Sequence, residues 1–304
     1  MRPLNYILIL FTVAFFSAGT IYGTVQIQEE NRVKLALNTS TISGYGLSLP
    51  EMISLTATAG FDGIELWVQD IEAYVKAGGT LEQLSSLIRN SGLSVENMIG
   101  FAPCLSEDET TRKKGVEQFR RELEMAKRLQ SNHIAVTGAG LEEPFHWERL
   151  DLYAGQLNEI LEICENTGVQ PLLELWGSHH LSKVEYVTAI LMRTGRTDGA
   201  LLLDLYHLYR GGNSWESLSV IDPAILPVIH INDYPGHLPF EQLTDADRVM
   251  TGEGICPTKS IFDLLEKKEY RGVFSVELFN ESYWSLYTAE ELLEKIMQSL
   301  KRIL

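Results

Sequence analysis

The chain has 304 residues, of which 45% are hydrophobic, enough for one large domain with a sizeable apolar core. It carries 25 Lys and Arg against 41 Asp and Glu, a formal net charge of −16. An acidic surface repels nucleic-acid phosphates and anionic lipid, so the composition argues against both kinds of partner. The three cysteines, Cys104, Cys164 and Cys256, give neither a disulfide framework nor metal-ligand spacing.

The first 23 residues have the layout of a secretory signal peptide. Arg2 provides a positive charge, residues 6–18 form an apolar run, and small residues at the end of this run suit a cleaving peptidase. The run is shorter than the about 20 residues that a membrane span needs. We therefore expect residues 1–23 to be a cleaved signal peptide, with an uncleaved anchor or a buried native element as the alternatives. Residues 24–304 are then expected to form a domain exported to the periplasm or the extracellular space, with no stable membrane span.

Beyond this segment, short apolar runs alternate with amphipathic segments. Eight runs are predicted to be strands, at Val33–Thr39, Gly63–Trp67, Ser94–Ile99, His133–Thr137, Gln170–Leu175, Leu201–Tyr206, Pro227–Asn232 and Val273–Phe279. Helical spacing of apolar residues predicts helices between them, for example at Pro50–Ala59, Leu81–Arg89, Gly115–Leu129, Asp151–Asn166 and Ala289–Ile303. This alternation predicts an α/β fold, a single (β/α)8 TIM barrel. An open doubly wound sheet is the competitor, but the sequence lacks the Gly-rich phosphate loop that it would need.

Each of the last four predicted strands ends near a residue that can bind a metal ion. Glu174, Asp204, His230 and Glu277 all lie in apolar stretches, where a lone charge is costly to bury. Because functional groups of a parallel barrel cluster at the carboxyl ends of its strands, the four side chains are predicted to share one divalent cation. Three carboxylates and one imidazole favour Mn²⁺ or Mg²⁺, with Co²⁺ or Zn²⁺ as alternatives. Taken singly, each residue could instead cap a helix or lie at a solvated rim.

Seven stretches resemble the xylose isomerase-like TIM-barrel superfamily, in its sugar phosphate isomerase/epimerase branch. They are LNTSTI (37–42), AGFDGIELWVQDIEAYV (59–75), LLELWG (172–177), DLYHLYRGG (204–212), HINDYP (230–235), DADRVMTGEG (245–254) and FSVELF (274–279). They run in the order of the family and cover nearly all of the chain after the signal segment. The resemblance implies that Glu174, Asp204, His230 and Glu277 are the metal ligands. It also implies that His207, in the D-x-x-H motif, binds substrate.

The chain departs from the family pattern in two places. Family members often have an arginine shortly after the histidine of strand seven, whereas residues 234–237 contain none. Arg248 is predicted to take its place as a substrate-binding residue. The DNA-repair members carry a D-R-H motif for a site with three metal ions, and here the motif reads Asp247, Arg248, Val249. A trinuclear site and a DNA substrate are therefore not expected.

Two tryptophans are predicted to bind substrate. Trp67 shares one face of the second strand with Glu65 by the two-residue period of a strand. Trp176 follows closely after Glu174 and is placed to stack on a sugar ring. Packing in the core is the alternative for Trp67.

Together these residues predict a divalent-metal-dependent sugar isomerase or epimerase that acts on a ketose, keto-sugar or cyclitol. Glu174 and Glu277 are predicted to move a proton at the carbon beside the carbonyl, through an enediolate that the cation stabilises. A keto-sugar or inosose dehydratase or lyase would use the same site. A non-catalytic sugar-binding barrel would keep the tryptophans without a metal, and a hydrolase or nuclease would need a second ion. A homo-oligomer is expected only by analogy.

Overall fold

The computed structural model describes residues 33–142 and 144–304 of the chain. The predicted signal peptide, residues 1–23, lies outside the described residues, so its cleavage and the export of the protein stay predictions. Within the described ranges, no helix is long and apolar enough to cross a membrane. All three cysteines are buried and free, as expected for a domain whose core needs no disulfide.

The described part of the chain forms a closed barrel of eight parallel strands, each paired with its neighbours in chain order. The strands are β1 (Lys34–Asn38), β2 (Gly63–Trp67), β3 (Ser94–Ile99), β4 (His133–Val136), β5 (Gln170–Glu174), β6 (Ala200–Asp204), β7 (Val228–Ile231) and β8 (Val273–Val276). The barrel closes between β8 and β1, where Lys34 is level with Val273 and Leu37 with Val276. The prediction of a single (β/α)8 barrel is confirmed.

Helices connect successive strands and cover the outside of the barrel. They are α1 (Leu49–Ala59), α2 (Val68–Lys76), α3 (Leu81–Asn90), α4 (Glu109–Leu129), α5 (Leu150–Cys164), α6 (Val184–Arg193), α7 (Leu205–Arg210), α8 (Thr258–Lys267), α9 (Glu281–Leu286) and α10 (Ala289–Ile303). Short 3₁₀ helices lie at Thr39–Tyr45, Trp147–Arg149, Trp215–Val220, Pro223–Ile225, Phe240–Gln242 and Asp245–Asp247. The start of α10 is fixed by a capping box, in which the side chains of Thr288 and Glu291 accept each other's backbone N–H.

The two-residue period of the strands places a polar layer on top of an apolar one. Leu172 in β5, Leu202 in β6 and Val228 in β7 belong to one buried apolar cluster inside the barrel. Two residues further along the same strands, on the same face and nearer the carboxyl end, are Glu174, Asp204 and His230. The barrel interior is therefore apolar below this layer, and Glu174, Asp204 and His230 lie at the carboxyl-end mouth.

The end of β6 differs from the prediction, which extended the strand to Tyr206. The strand stops at Asp204, because Oδ1 of this residue accepts the backbone N–H groups of Tyr206 at 2.6 Å and His207 at 3.0 Å. These bonds cap the short helix α7. The apolar composition of the stretch favours a strand, but the cap turns the chain so that His207 lies beside the mouth of the barrel.

Candidate metal centre and active site

Three of the four predicted metal ligands converge at the carboxyl end of the barrel. Asp204, His230 and Glu277 each offer a ligand atom, and these atoms lie within 4.8 Å of one another. His230 Nδ1 is 3.1 Å from Glu277 Oε2 and 3.5 Å from Asp204 Oδ2. All three side chains are buried. Buried carboxylates held so close together favour a positive charge between them.

Glu65 orients the ring of His230. Its Oε2 is 3.1 Å from His230 Nε2 and also accepts the side-chain amide of Asn97 at 3.1 Å. Because an ionised carboxylate only accepts hydrogen bonds, Nε2 donates to Glu65 and Nδ1 faces Asp204 and Glu277. Burial opposes the charged ring, but Glu277 and Glu65 together raise the pKa of His230 well above its usual value. The neighbouring carboxylates thus favour a positive charge at Nδ1. Either a proton or a metal ion can supply this charge, and the two compete for the same nitrogen.

Glu174 stands apart from the other three predicted ligands. It lies at the end of β5 and is buried, but among the described residues its carboxylate is not part of the group within 4.8 Å. Burial raises the pKa of Glu174 to about 8, and the negative charges of Glu277 and Asp204 add to the rise against the opposing effect of His230. Its carboxyl group is therefore electrostatically coupled to the centre, while its place as a fourth ligand stays a prediction.

Arg248 enters the site from the segment between β7 and α8, and it is only 1% exposed. Its Nη1 donates to Asp204 Oδ2 at 2.8 Å and to Glu277 Oε2 at 2.6 Å. Its Nη2 donates to Asp245 Oδ1 at 2.6 Å and lies 3.2 Å from His207 Nε2. The four N–H groups of the two terminal nitrogens thus all meet protein acceptors. Among the described residues only Nε–H finds no acceptor, so the contact of Arg248 with substrate stays a prediction.

The charges of the centre fit a divalent cation. Four carboxyl groups, those of Glu65, Glu174, Asp204 and Glu277, are buried around one guanidinium, that of Arg248. When all four are ionised, the group carries an excess of three negative charges (four minus one). Oxygen ligands with a single imidazole suit a hard or borderline divalent ion, so the residues present are able to hold the predicted metal.

His207 lies in the first turn of α7 and is also buried. Burial lowers the pKa of His207 to about 3, although the charge of Asp204 acts in the opposite direction. The ring is therefore neutral at neutral pH. It lies 6.2 Å from the ring of Trp176, measured between centroids, which places the predicted substrate-binding histidine beside one of the predicted tryptophans.

Aromatic side chains form a wall at the same mouth. Phe101 is 42% exposed and lies between Trp67, at 5.6 Å, and Trp176, at 5.7 Å, measured between ring centroids. Phe279 meets the other side of Trp67 edge-on at 6.0 Å. The indole N–H of Trp67 donates to Asn38 at 2.7 Å, which fixes the ring. Sequence reasoning missed Phe101 and Phe279. Phe101 lies two residues after the end of β3 and Phe279 three residues after the end of β8, and a position just past a strand end is the signal that could have found them.

The sequence is similar to a known family and to several characterised proteins. Residues 53–303 match the family described as xylose isomerase-like TIM barrel. The inosose isomerase of Bacillus velezensis is 25% identical over 275 residues, which cover 89% of this chain and 97% of that protein. The inosose isomerase of Halalkalibacterium halodurans is 27% identical over 239 residues, 77% of this chain and 84% of that protein.

A solved structure, that of an IOLI protein with a bound zinc atom, has the same architecture. It superposes with a TM-score of 0.82 at 24% sequence identity, over 89% of this chain and 97% of that one. The match to the family sequence spans the barrel from α1 to α10. The chain therefore belongs to the xylose isomerase-like TIM barrel family.

Proposed function

We propose that the protein is a divalent-metal-dependent isomerase of inososes, which are cyclic polyols with one carbonyl group, or of related keto-sugars. The observation that carries the proposal is the buried group of Asp204, His230 and Glu277, which lies beside a neutral histidine and below an aromatic wall. Two relatives that match most of the chain are inosose isomerases, which supports a substrate of this class.

In this proposal Asp204, His230 and Glu277 hold the cation, and Glu174 completes the ligand set from β5. The cation supplies electrostatic stabilisation of the negative charge that develops on substrate oxygens during the reaction. Glu65 keeps His230 in the orientation that a ligand needs. Arg248 holds the carboxylates of Asp204 and Glu277 apart from bulk water and in fixed positions.

The two glutamates perform the proton transfer. One of them, Glu174 or Glu277, removes the proton from the hydroxyl-bearing carbon beside the carbonyl, and the electron pair of that C–H bond forms an enediolate. Return of a proton to the former carbonyl carbon, together with transfer of the hydroxyl proton of the neighbouring oxygen to the former carbonyl oxygen, moves the carbonyl by one position, which is an isomerisation. Return to the original carbon from the other side gives an epimer. The aromatic wall packs against the C–H face of the ring and excludes water from the enediolate.

Proton exchange tests the reaction directly. The metal-loaded protein is incubated in D₂O with a panel of inososes, ketoses and keto-glycosides, and the products are examined by NMR. We expect deuterium at a carbon adjacent to the carbonyl of at least one inosose. Loss of water from the substrate would instead identify a dehydratase. The proposal fails if folded, metal-bound protein exchanges no proton with any member of the panel.

The roles of the glutamates are tested by Glu174→Gln and Glu277→Gln, which remove the proton acceptor and keep the shape. We expect each change to lower the exchange rate by about 100-fold or more, the usual contribution of general acid–base catalysis. Glu162→Gln is the matched control, because Glu162 is exposed on α5. Exchange at the parental rate by either metal-loaded glutamate variant would remove that residue from the mechanism.

We also propose that the protein works outside the cytoplasm, because residues 1–23 have the layout of a signal peptide. Sugars outside the cytoplasm are mainly unphosphorylated, so the substrate is expected to be a free keto-sugar or inosose. Amino-terminal sequencing of the protein from the envelope or secreted fraction tests this. A mature chain that begins shortly after the apolar run supports export, and an intact first residue in the cytoplasmic fraction contradicts it.

A further inference from the structure

The contact between Arg248 and His207 fixes where the proton of His207 lies. Arg248 Nη2 is 3.2 Å from His207 Nε2. A guanidinium has five N–H donors and no acceptor, so Nε2 can take part in this contact only as the acceptor. Because Nε2 accepts in this contact it holds no proton, and the proton of the imidazole ring is then on Nδ1. The ring nitrogen that faces away from Arg248 is therefore a hydrogen-bond donor.

Several further contacts hold the guanidinium of Arg248 beside His207. Its remaining terminal N–H groups are bonded to Asp204, Glu277 and Asp245 at 2.6 to 2.8 Å. The guanidinium carbon also lies 4.4 Å from the centre of the Tyr206 ring, a cation–π arrangement. These contacts hold the Nη2 donor opposite Nε2 in the structure.

His207 is equally fixed, but its donor is not used by the protein. The backbone N–H of His207 is bonded to Asp204 Oδ1 at 3.0 Å, which holds the residue in the first turn of α7. Nδ1 is buried and has no hydrogen-bond partner in the described part of the chain. A buried N–H without an acceptor is costly, so the acceptor of this proton is expected to come from a bound molecule.

We propose that Arg248 is a positioning residue that holds His207 in the Nδ1–H form, so that His207 donates a hydrogen bond to an acceptor oxygen of the bound substrate. The lone pair of the ring is occupied by Arg248, and His207 consequently cannot act as the base of the reaction. Proton transfer is left to the carboxylates. The identity of the acceptor as a carbonyl or enediolate oxygen rests on the proposed function, whereas the position of the ring proton does not.

Nitrogen NMR of the full chain tests the position of the proton. Histidine is labelled with ¹⁵N, Mg²⁺ is added because it does not broaden signals, and His207→Asn identifies the signals of His207 by their loss. We expect Nδ1 to show the protonated, pyrrole-like shift and Nε2 the unprotonated, pyridine-like shift. A proton on Nε2 in the parental protein overturns the proposal.

The role of Arg248 is tested in Arg248→Met and Arg248→Lys. Arg248→Met removes the donor opposite Nε2. Arg248→Lys keeps a positive charge beside Asp204 and Glu277, so that one variant remains measurable if the other does not fold, but its single nitrogen cannot reproduce the planar fork that bonds these carboxylates and His207 together. We expect the Nε2–H form, which neutral imidazole prefers in water, to appear in the nitrogen spectrum. An unchanged pure Nδ1–H spectrum in the folded variants would show that Arg248 does not set the proton position.

Substrate turnover distinguishes this inference from the proposed function. His207→Asn keeps an amide donor near the position of Nδ1, and His207→Leu has no donor. We expect the exchange rate of His207→Leu to fall about tenfold below that of His207→Asn, the effect of one lost hydrogen bond. Equal rates contradict donation by Nδ1. If the parental protein exchanges no substrate but its spectrum shows Nδ1–H, the proposed function fails and the position of the proton stands.

Discussion

A buried carboxylate that does not bind the metal can still determine how well the metal binds. Glu65 Oε2 accepts from His230 Nε2 at 3.1 Å, and this bond directs Nδ1 toward Asp204 and Glu277. Without it, the imidazole would have no preferred ring orientation and would present a proton to the cation as readily as a lone pair. Metal affinity in this site is therefore expected to depend on a residue of β2, on the far side of the barrel from β7.

We predict that Glu65→Gln weakens the binding of Mn²⁺ or Zn²⁺ by about 10- to 100-fold, the usual effect of losing the partner of a ligating histidine. Isothermal titration of chelator-treated protein measures the affinity. Glu96→Gln is the matched control, because Glu96 is also a buried glutamate but bonds Lys34 and Asn132 at the amino end of the barrel. Equal affinities of Glu65→Gln and the parental protein would show that Glu65 does not act through His230.

The convergence of Asp204, His230 and Glu277 can be predicted from the sequence better than the contacts that surround them. Asp204, His230 and Glu277 are recognisable because each interrupts or closes an apolar strand, and strand ends of a barrel converge. The pairing of Glu65 with His230 joins two strands that are not neighbours, so strand alternation alone does not reveal it. Arg248 lies in an irregular segment, where no periodicity indicates the direction of a side chain.

Asp233 makes several of the bonds that fold the segment carrying Arg248. Backbone N–H groups of Asp233 and Val249 each donate to the other residue's carbonyl at 2.9 Å. The carboxylate of Asp233 accepts the backbone N–H groups of Tyr234 at 2.8 Å, Gly252 at 3.0 Å and Cys256 at 2.7 Å. These bonds fold the turn onto the end of β7. Arg248 directly precedes Val249, the residue that pairs with Asp233.

We predict that Asp233→Asn lowers the free energy of unfolding by about 1–3 kcal/mol, because the amide nitrogen that replaces one carboxylate oxygen cannot accept the backbone N–H bonded to that oxygen. Urea denaturation followed by fluorescence measures the change. Asp222→Asn is the control, since the exposed Asp222 caps Pro223–Ile225 and asparagine caps equally well. A loss no larger than that of the control would mean that the turn does not depend on this carboxylate.

Sequence reasoning recognised the turn only as part of a family motif, T-G-E-G. The structure gives the physical reason for its glycines. Gly252 has a φ of +89°, and a Cβ on Gly254 would lie 2.2 Å from the carbonyl oxygen of Tyr234 and 2.3 Å from Asp233 Oδ1. Gly254 comes this close to Asp233, a residue 21 positions earlier in the chain (254 minus 233). Local turn propensities describe only neighbouring residues, so they cannot predict this contact.

At the scale of the whole molecule, polar side chains at the carboxyl end of the barrel form hydrogen bonds between β1 and the end of β8, where the barrel closes. Asn38 at the end of β1 donates to Glu277 Oε1 at 2.9 Å, directly after β8. Thr41 adds a second link, since its hydroxyl donates to the carbonyl of Val276 and accepts from the N–H of Leu278, both at 3.1 Å. The group that would hold a cation is therefore connected to the first strand as well as to the last three. A cation bound there is expected to stabilise the closed barrel and not only one loop.

We predict that a divalent ion at 100 times its dissociation constant raises the free energy of unfolding by about 2.7 kcal/mol, because it binds the folded chain and not the dispersed ligands of the unfolded one. Chelator-treated protein is unfolded by urea with and without Mn²⁺. His230→Gln is expected to lose most of this gain, since the amide cannot reproduce the imidazole ligand, while Glu162→Gln on the outer surface keeps it. If the protein were a sugar-binding barrel without a metal site, Mn²⁺ would not raise the free energy of unfolding of any of the three proteins. An equal gain in His230→Gln would place the cation elsewhere and would separate Asp204, His230 and Glu277 from metal binding.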